Sequence, residues 1–163
     1  MARLKPMDPK ERLAQAKRIH DGYVADLNCA ERVFLTLHAL IETDIPPTAV
    51  TMLSGMGGGV GGTREGVCGA VSGGIAGLGL IHGRPNPPEG NREQAYEAPR
   101  DFAALFQTAF GTTVCRELVG DLLHEGTAEA DERRKIRCSR YTWKAVRLCL
   151  DTLARFERSA PIR

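Results

Sequence analysis

The sequence predicts an all-α fold: a compact bundle of about five to seven helices with a glycine-rich loop and helix at its centre. Three observations carry that prediction. Apolar residues recur at three- and four-residue spacing through most of the chain. Capping residues stand ahead of those segments, and no stretch alternates apolar and polar residues as a half-buried strand does. At 163 residues the chain is long enough for one domain, residues 1–163, with a real core, and no second domain is required.

The elements follow in order. Asp8-Pro9 is a helix start, Asp as N-cap and Pro at the first helical position, and PKERLAQAKRIHDGYVADL carries Leu13, Ala16, Ile19 and Tyr23 at helical spacing. Asn28 followed by Glu31 is a capping-box pattern, so a second helix opens there with Cys29 in its first turn. Its apolar face is Val33, Leu37, Leu40 and Ile41, and Pro46-Pro47 ends it. A short helix from Thr48 to Leu53 leads into the glycines, and GVCGAVSGGIAGLGLIHG predicts a helix from near Glu65 to Gly83 with Cys68 near its start. Residues 84–99, rich in Pro, Asn, Gly and charge, predict a surface loop. DFAALFQTAF is helical up to Gly111, and Thr112 or Thr113 can cap VCRELVGDLLHE, which puts Cys115 in a first turn. TAEADERRKIR reads as a solvated helix or loop. The last helix carries Tyr141, Trp143, Val146, Leu150, Leu153 and Phe156 on one side and begins beside Cys138.

Composition narrows the function classes. A net charge of +2 with 26% charged residues gives no strong field toward nucleic acid or an anionic membrane. MARLKPMDPKER lacks an apolar signal core and no run reaches the ~18–20 apolar residues that span a bilayer, so a cytoplasmic protein is expected. Five cysteines, an odd number without CxxC spacing, do not make a secreted disulfide framework; in a reducing compartment they are metal ligands, redox thiols or buried fillers. Cys29, Cys68 and Cys115 fall at predicted helix N-termini and Cys138 is placed at one too, where the helix dipole and free N–H groups favour thiolate. Cys149, inside the last helix, reads as a filler.

Gly69, Gly73, Gly74, Gly77 and Gly79 cost a helix roughly 4–5 kcal/mol relative to alanine, so something must offset them. Gly69, Gly73 and Gly77 recur every fourth residue as a smooth stripe for close packing of another backbone. Together with the apolar flank and Met52, Met56 and Leu78, that stripe also suggests a homodimer. The upstream cluster 57–62 can adopt positive φ and bring backbone close to a sulfur or inorganic group. Gly58, Gly59, Gly61 and Gly69 are accordingly the candidates for cofactor contact around Cys68; a flexible loop before a close-packed helix is the alternative.

Other motifs fare less well. Gly57-x-Gly59-x-x-Gly62 matches the dinucleotide fingerprint formally, but no strand precedes it and no acidic residue follows about 20 positions on. Thr63 lacks the preceding Lys of a phosphate-binding loop. His20, His38, His82 and His124 have no metal-ligand spacing and read as surface or satisfied core residues, His82 at the end of the glycine helix being the one to watch. The basic run ERRKIRCSR is offset by EADE before it, so nucleic acid is not expected; its charges could stabilise a thiolate at Cys138 or dock an acidic redox partner.

The stretches NCAERV (28–33), GMGGGVGGTREGVCGAVSGGIAGLGL (55–80), FGTTVCRELVG (110–120) and RCSRYTWKAV (137–146) resemble the redox-active family named for its C, GCAxxG, C, C cysteine pattern, related to the C-terminal part of split-Soret cytochrome c. Asn28 and Val33 stand where the GCAxxG glycines would fall on alignment at Cys29, and Cys149 has no counterpart. The resemblance implies a helical domain holding an iron–sulfur cluster, [2Fe–2S], in electron transfer or redox sensing. Carried over residue by residue, it implies Cys29, Cys68, Cys115 and Cys138 as ligands, and a redox partner protein of unidentified nature. A thiol–disulfide protein, or a structural zinc site or helical interaction domain, is the alternative. No general acid or base is identified, so enzyme status stays open.

Overall fold

The computed structural model describes residues 2–23 and 26–159. Helices dominate: α1 (Pro9–Gly22), α2 (Cys29–His38), a 3-10 helix (Pro47–Met56), α3 (Gly69–His82), α4 (Arg92–Phe110), α5 (Cys115–Leu123) and α6 (Ala128–Ser159). The N-cap signals act as read. Asp8 accepts from the amides of Lys10 and Glu11, and Asn28 forms the full capping box with Glu31. Residues 24 and 25, in the tail expected for the first helix, lie outside the described residues. The second helix ends at His38, short of the prolines, because Leu4 pairs with Ile41 and Arg3 with Glu42 in a two-stranded antiparallel sheet, β1 (Arg3–Leu4) and β2 (Ile41–Glu42). Two residues per strand leave no alternation to detect.

The glycine-rich helix α3 is the centre of the bundle, touching α2, α4, α6 and the 3-10 helix. Its stripe meets a backbone, as the spacing predicts. A Cβ on Gly69 would lie 2.9 Å from Cys29 Cβ and 3.0 Å from Ala30 N; one on Gly73 would meet the Ala30 backbone, 2.9 Å from Cα; one on Gly77 would press into Leu37. That partner is α2 of the same chain, so the stripe offers no surface to a second copy. Gly74 faces Phe102 and Cys149. The core around α3 is contiguous, with Phe102, Phe106, Leu37, Leu40, Leu78 and Leu153 fully buried.

Four boundaries differ from expectation. Of the expected loop 84–99, residues 92–99 belong to α4, which Asn91 caps by accepting from Gln94 N at 3.2 Å and which runs through Pro99. Its first turns are mostly exposed, so they show no apolar period. The Glu65 start for α3 slips to Gly69, with Cys68 as N-cap, because residues 64–68 run beside 113–116 instead. Neither Thr112 nor Thr113 is the α5 N-cap: Val114 is, and Thr112 Oγ1 accepts from its amide at 3.0 Å. TAEADERRKIR is the first third of α6, a 32-residue helix whose opening turn is capped by Thr127, so Cys138 lies inside a helix and not at its start. No described helix is long and apolar enough to cross a membrane.

Candidate functional site

Each cysteine is placed by a local device. Asn28 holds the start of α2 by accepting from Ala30 N (2.8 Å) and Glu31 N (3.0 Å), and its Nδ2 donates to the carbonyls of Leu53 and Ser54. Cys29 is thereby tied to the 3-10 helix. Cys68 N donates to Thr113 O (2.7 Å), Cys115 N to Gly66 O (3.0 Å) and Arg116 N to Arg64 O (2.7 Å), with Val67 and Val114 bridged between them. This short ladder stitches the starts of α3 and α5 together. Tyr141 Oη then donates to Leu118 O at 3.0 Å and Arg137 pairs with Asp121 at 2.6 Å, docking α5 on the stretch of α6 that carries Cys138.

The result is one cavity of about 520 Å³ whose wall includes Cys29, Cys68, Cys115 and Cys138. Four segments that are remote in sequence each give it one thiol. Cys149 is fully buried against α3 and does not line it. Cations do: Arg32, Arg64, Arg134 and Lys135 are all in the wall. Among the described residues no three His, Cys, Asp or Glu side chains gather as tightly as a single metal ion requires. The thiols surround a space and do not meet at a point.

The thiols differ in their hold on protons. Burial raises Cys115, with Arg64 opposing it, and pushes Cys68 up to about 12 although the amides of Ala70 and Val71 pull the other way. Cys29 is raised far above the ordinary thiol range, first because its hydrogen is held against Cys138 and then by burial. Cys138 is lowered to about 7, chiefly by that hydrogen bond from Cys29, with burial opposing and Arg134 and Arg64 assisting. The helix starts do not lower their thiols as expected: Cys29, Cys68 and Cys115 stand at helix starts yet are raised, while Cys138, inside α6, is lowered. Desolvation outweighs the dipole at Cys68 and Cys115 because it disfavours the charge directly, whereas at Cys29 the hydrogen bond to Cys138 comes first.

The glycine candidates separate. Gly58 and Gly69 line the cavity. Gly58, at φ +57°, leaves room for the Arg64 guanidinium, and Gly59, at φ +70°, leaves room for the Arg64 backbone and for Cys115 Cβ, 2.8 Å from where its own Cβ would be. Gly59 therefore acts from behind the wall. Gly61 N donates to Gly55 O at 2.7 Å, and its Cβ position is open, so its amide is spent inside the loop. The loop is wound on itself to aim Arg64, which holds φ +68°, a conformation side chains rarely adopt. His82 sits away from the cavity, 5.4 Å from the Phe156 ring. Arg32, Arg64 and Thr142 were not singled out from the sequence; Arg32 sits three residues after Cys29, hence on its face of α2, and Arg64 is the one cation between Gly55 and Gly83.

The family model C_GCAxxG_C_C, described as "Putative redox-active protein", matches residues 27–152. The chain belongs to this family. The matched span contains all four cavity cysteines and Cys149. No curated protein and no solved structure gives a match. Membership of the C_GCAxxG_C_C family makes the cavity the candidate redox centre, since four of the five cysteines of the chain line it.

Proposed function

We propose that the chain holds an iron–sulfur cluster, [2Fe–2S], on Cys29, Cys68, Cys115 and Cys138, and that it transfers or senses electrons with a partner protein in a reducing compartment. The observation that carries this reading is the convergence of four thiols from four separate segments on one cavity, with the fifth left in the core. Four thiolates are the donor set of both common cluster types, and the choice of [2Fe–2S] comes from the family resemblance. Thiols from four segments set around a cavity leave room for a guest with more than one metal atom, whereas a zinc ion takes its four ligands at one centre. When bound, such a cluster supplies a one-electron couple. The chain supplies the rest. Arg64 and Arg134 offset the negative charge that four thiolates bring, and the amides of Ala70 and Val71 at the α3 start favour it further. These charges and amides favour the reduced, more negative state, and burial of the thiols opposes it. Visible absorbance with iron and sulfide analysis of anaerobically purified chain tests the proposal: both elements bound in a coloured protein are expected, and a colourless, iron-free chain would contradict it.

A second reading is thiol–disulfide exchange between Cys29 and Cys138. It is favoured by the shared proton that lowers Cys138 to about 7, near the ambient pH at which an attacking thiol works best. A mixed disulfide trapped at Cys138 in an iron-free protein would support it.

A further inference from the structure

His20 is 1% exposed, yet both of its ring nitrogens are engaged. Nδ1 lies 3.1 Å from Asp21 Oδ1 and Nε2 lies 2.9 Å from Thr142 Oγ1. Asp21 is half-exposed, whereas Thr142 is buried and belongs to the wall of the cysteine cavity, one turn along α6 from Cys138. The three side chains form a continuous line from solvent to the cavity wall. Thr142 has a second option, since Ser139 O is 3.0 Å from its hydroxyl. Two proton arrangements satisfy every atom. With His20 neutral, Nδ1–H donates to the Asp21 carboxylate and the Thr142 hydroxyl donates to Nε2. With His20 protonated, both ring N–H groups donate, and the Thr142 hydrogen turns to the Ser139 carbonyl.

We propose that Asp21, His20 and Thr142 form a redox-linked proton site, through which the charge state of the cysteine cavity governs proton uptake at His20. The proposal rests on the reading of the cavity as a redox centre. The step balances: one electron enters the centre, one proton leaves solvent and ends on His20, and the summed charge of centre and imidazole does not change. Nothing else is made or broken. His20 is suited to this part because its surroundings poise it. Burial lowers its proton affinity, Asp21 opposes that, and the cations Arg32 on α2 and Lys17 on α1 lower it further; α6 contributes the uncharged Thr142 and Trp143. Arg32 also lines the cavity, so it faces both groups. Coupling is reciprocal: if reduction favours protonation of His20, protonation must raise the midpoint potential.

The test is the midpoint potential of the anaerobically reconstituted full chain across pH 5–9, in the parent and in Asp21→Asn, His20→Gln and Thr142→Val, with iron and sulfide measured on each sample. The parent potential is expected to fall with rising pH within one window, by up to about 59 mV for each tenfold loss of protons in a one-electron couple. His20→Gln should flatten that dependence, and Thr142→Val should weaken it. Asp21→Asn, a near-isosteric change at a half-exposed position, should move the window to lower pH by removing the group that raises His20. A cluster-free readout guards against misfolding of the buried variants: Trp143, the single tryptophan, lies 5.6 Å from the His20 ring, so its fluorescence should report His20 titration in the metal-free chain and shift in Asp21→Asn. An iron-loaded parent with a pH-independent potential, or one whose dependence Asp21→Asn and His20→Gln leave unchanged, overturns the proton site alone. A chain that binds no iron overturns the reading on which it rests.

Discussion

At the scale of single residues, what separates the five cysteines is the company each keeps. The Cys29 hydrogen, Arg134 and Arg64 lower Cys138, so Arg134→Gln should move its titration in the metal-free protein upward from about 7; thiolate absorbance followed against pH checks this, and an unmoved curve would remove the role of Arg134. The glycines separate in the same way. A side chain at Gly73 must displace the Ala30 backbone, which cannot turn aside as a side chain can. Gly73→Leu should therefore cost more than about 2 kcal/mol in urea unfolding. Gly79 has nothing within 4 Å of its Cβ position, and Gly79→Ala should be neutral or stabilise by up to about 1 kcal/mol. Equal effects at the two positions would mean that the stripe does not decide the packing.

At the scale of elements, the caps legible in the sequence also aim the site. Asn28 joins α2 to the 3-10 helix through the same side chain that caps Cys29's turn, so Asn28→Ala should lower the melting temperature by the equivalent of about 1 kcal/mol and loosen Cys29 as well. Differential scanning calorimetry with alkylation rates at Cys29 checks both; a stability loss with unchanged Cys29 protection would confine Asn28 to capping. Helices with a cap and an apolar stripe were readable because both signals are local. The ladder joining 64–68 to 113–116 was not, since its partners lie about 50 residues apart and are single hydrogen bonds, without the alternation of a strand. Nor was the continuity of α6 through Cys138: its first third is polar around most of its circumference, and a helix held by ion pairs such as Arg134 with Asp131 leaves no apolar period. The four ligand candidates could be named from the family pattern, but Arg64 could not, because its approach depends on the positive-φ winding of the loop before it.

At the scale of the whole molecule, the cavity is walled by segments spread from Asp26 to Thr142, so occupancy and folding are linked. Burial lowers the proton affinity of both His20 and His82 below the ordinary 6.5. The unfolded chain then binds more protons than the folded one below that pH, so the stability contributed by these neutral histidines is complete above about 6.5 and declines as pH falls through it toward their lower folded values. Urea midpoints measured from pH 7.5 to 5 should decline in the parent and decline less in His20→Gln; a flat profile would contradict the assignment. A bound cluster would add its own binding energy to folding, making the metal-free protein the less stable form. The account stands most directly on which cysteines hold metal. Its measurement is iron and sulfide per chain in the parent and in five single Cys→Ser variants, reconstituted side by side under anaerobic conditions. Loading should fall sharply in Cys29→Ser, Cys68→Ser, Cys115→Ser and Cys138→Ser, because a hydroxyl is a poorer ligand for this iron than a thiolate, and should be retained in Cys149→Ser. Full loading in any of the four cavity variants, or loss confined to Cys149→Ser, would contradict it.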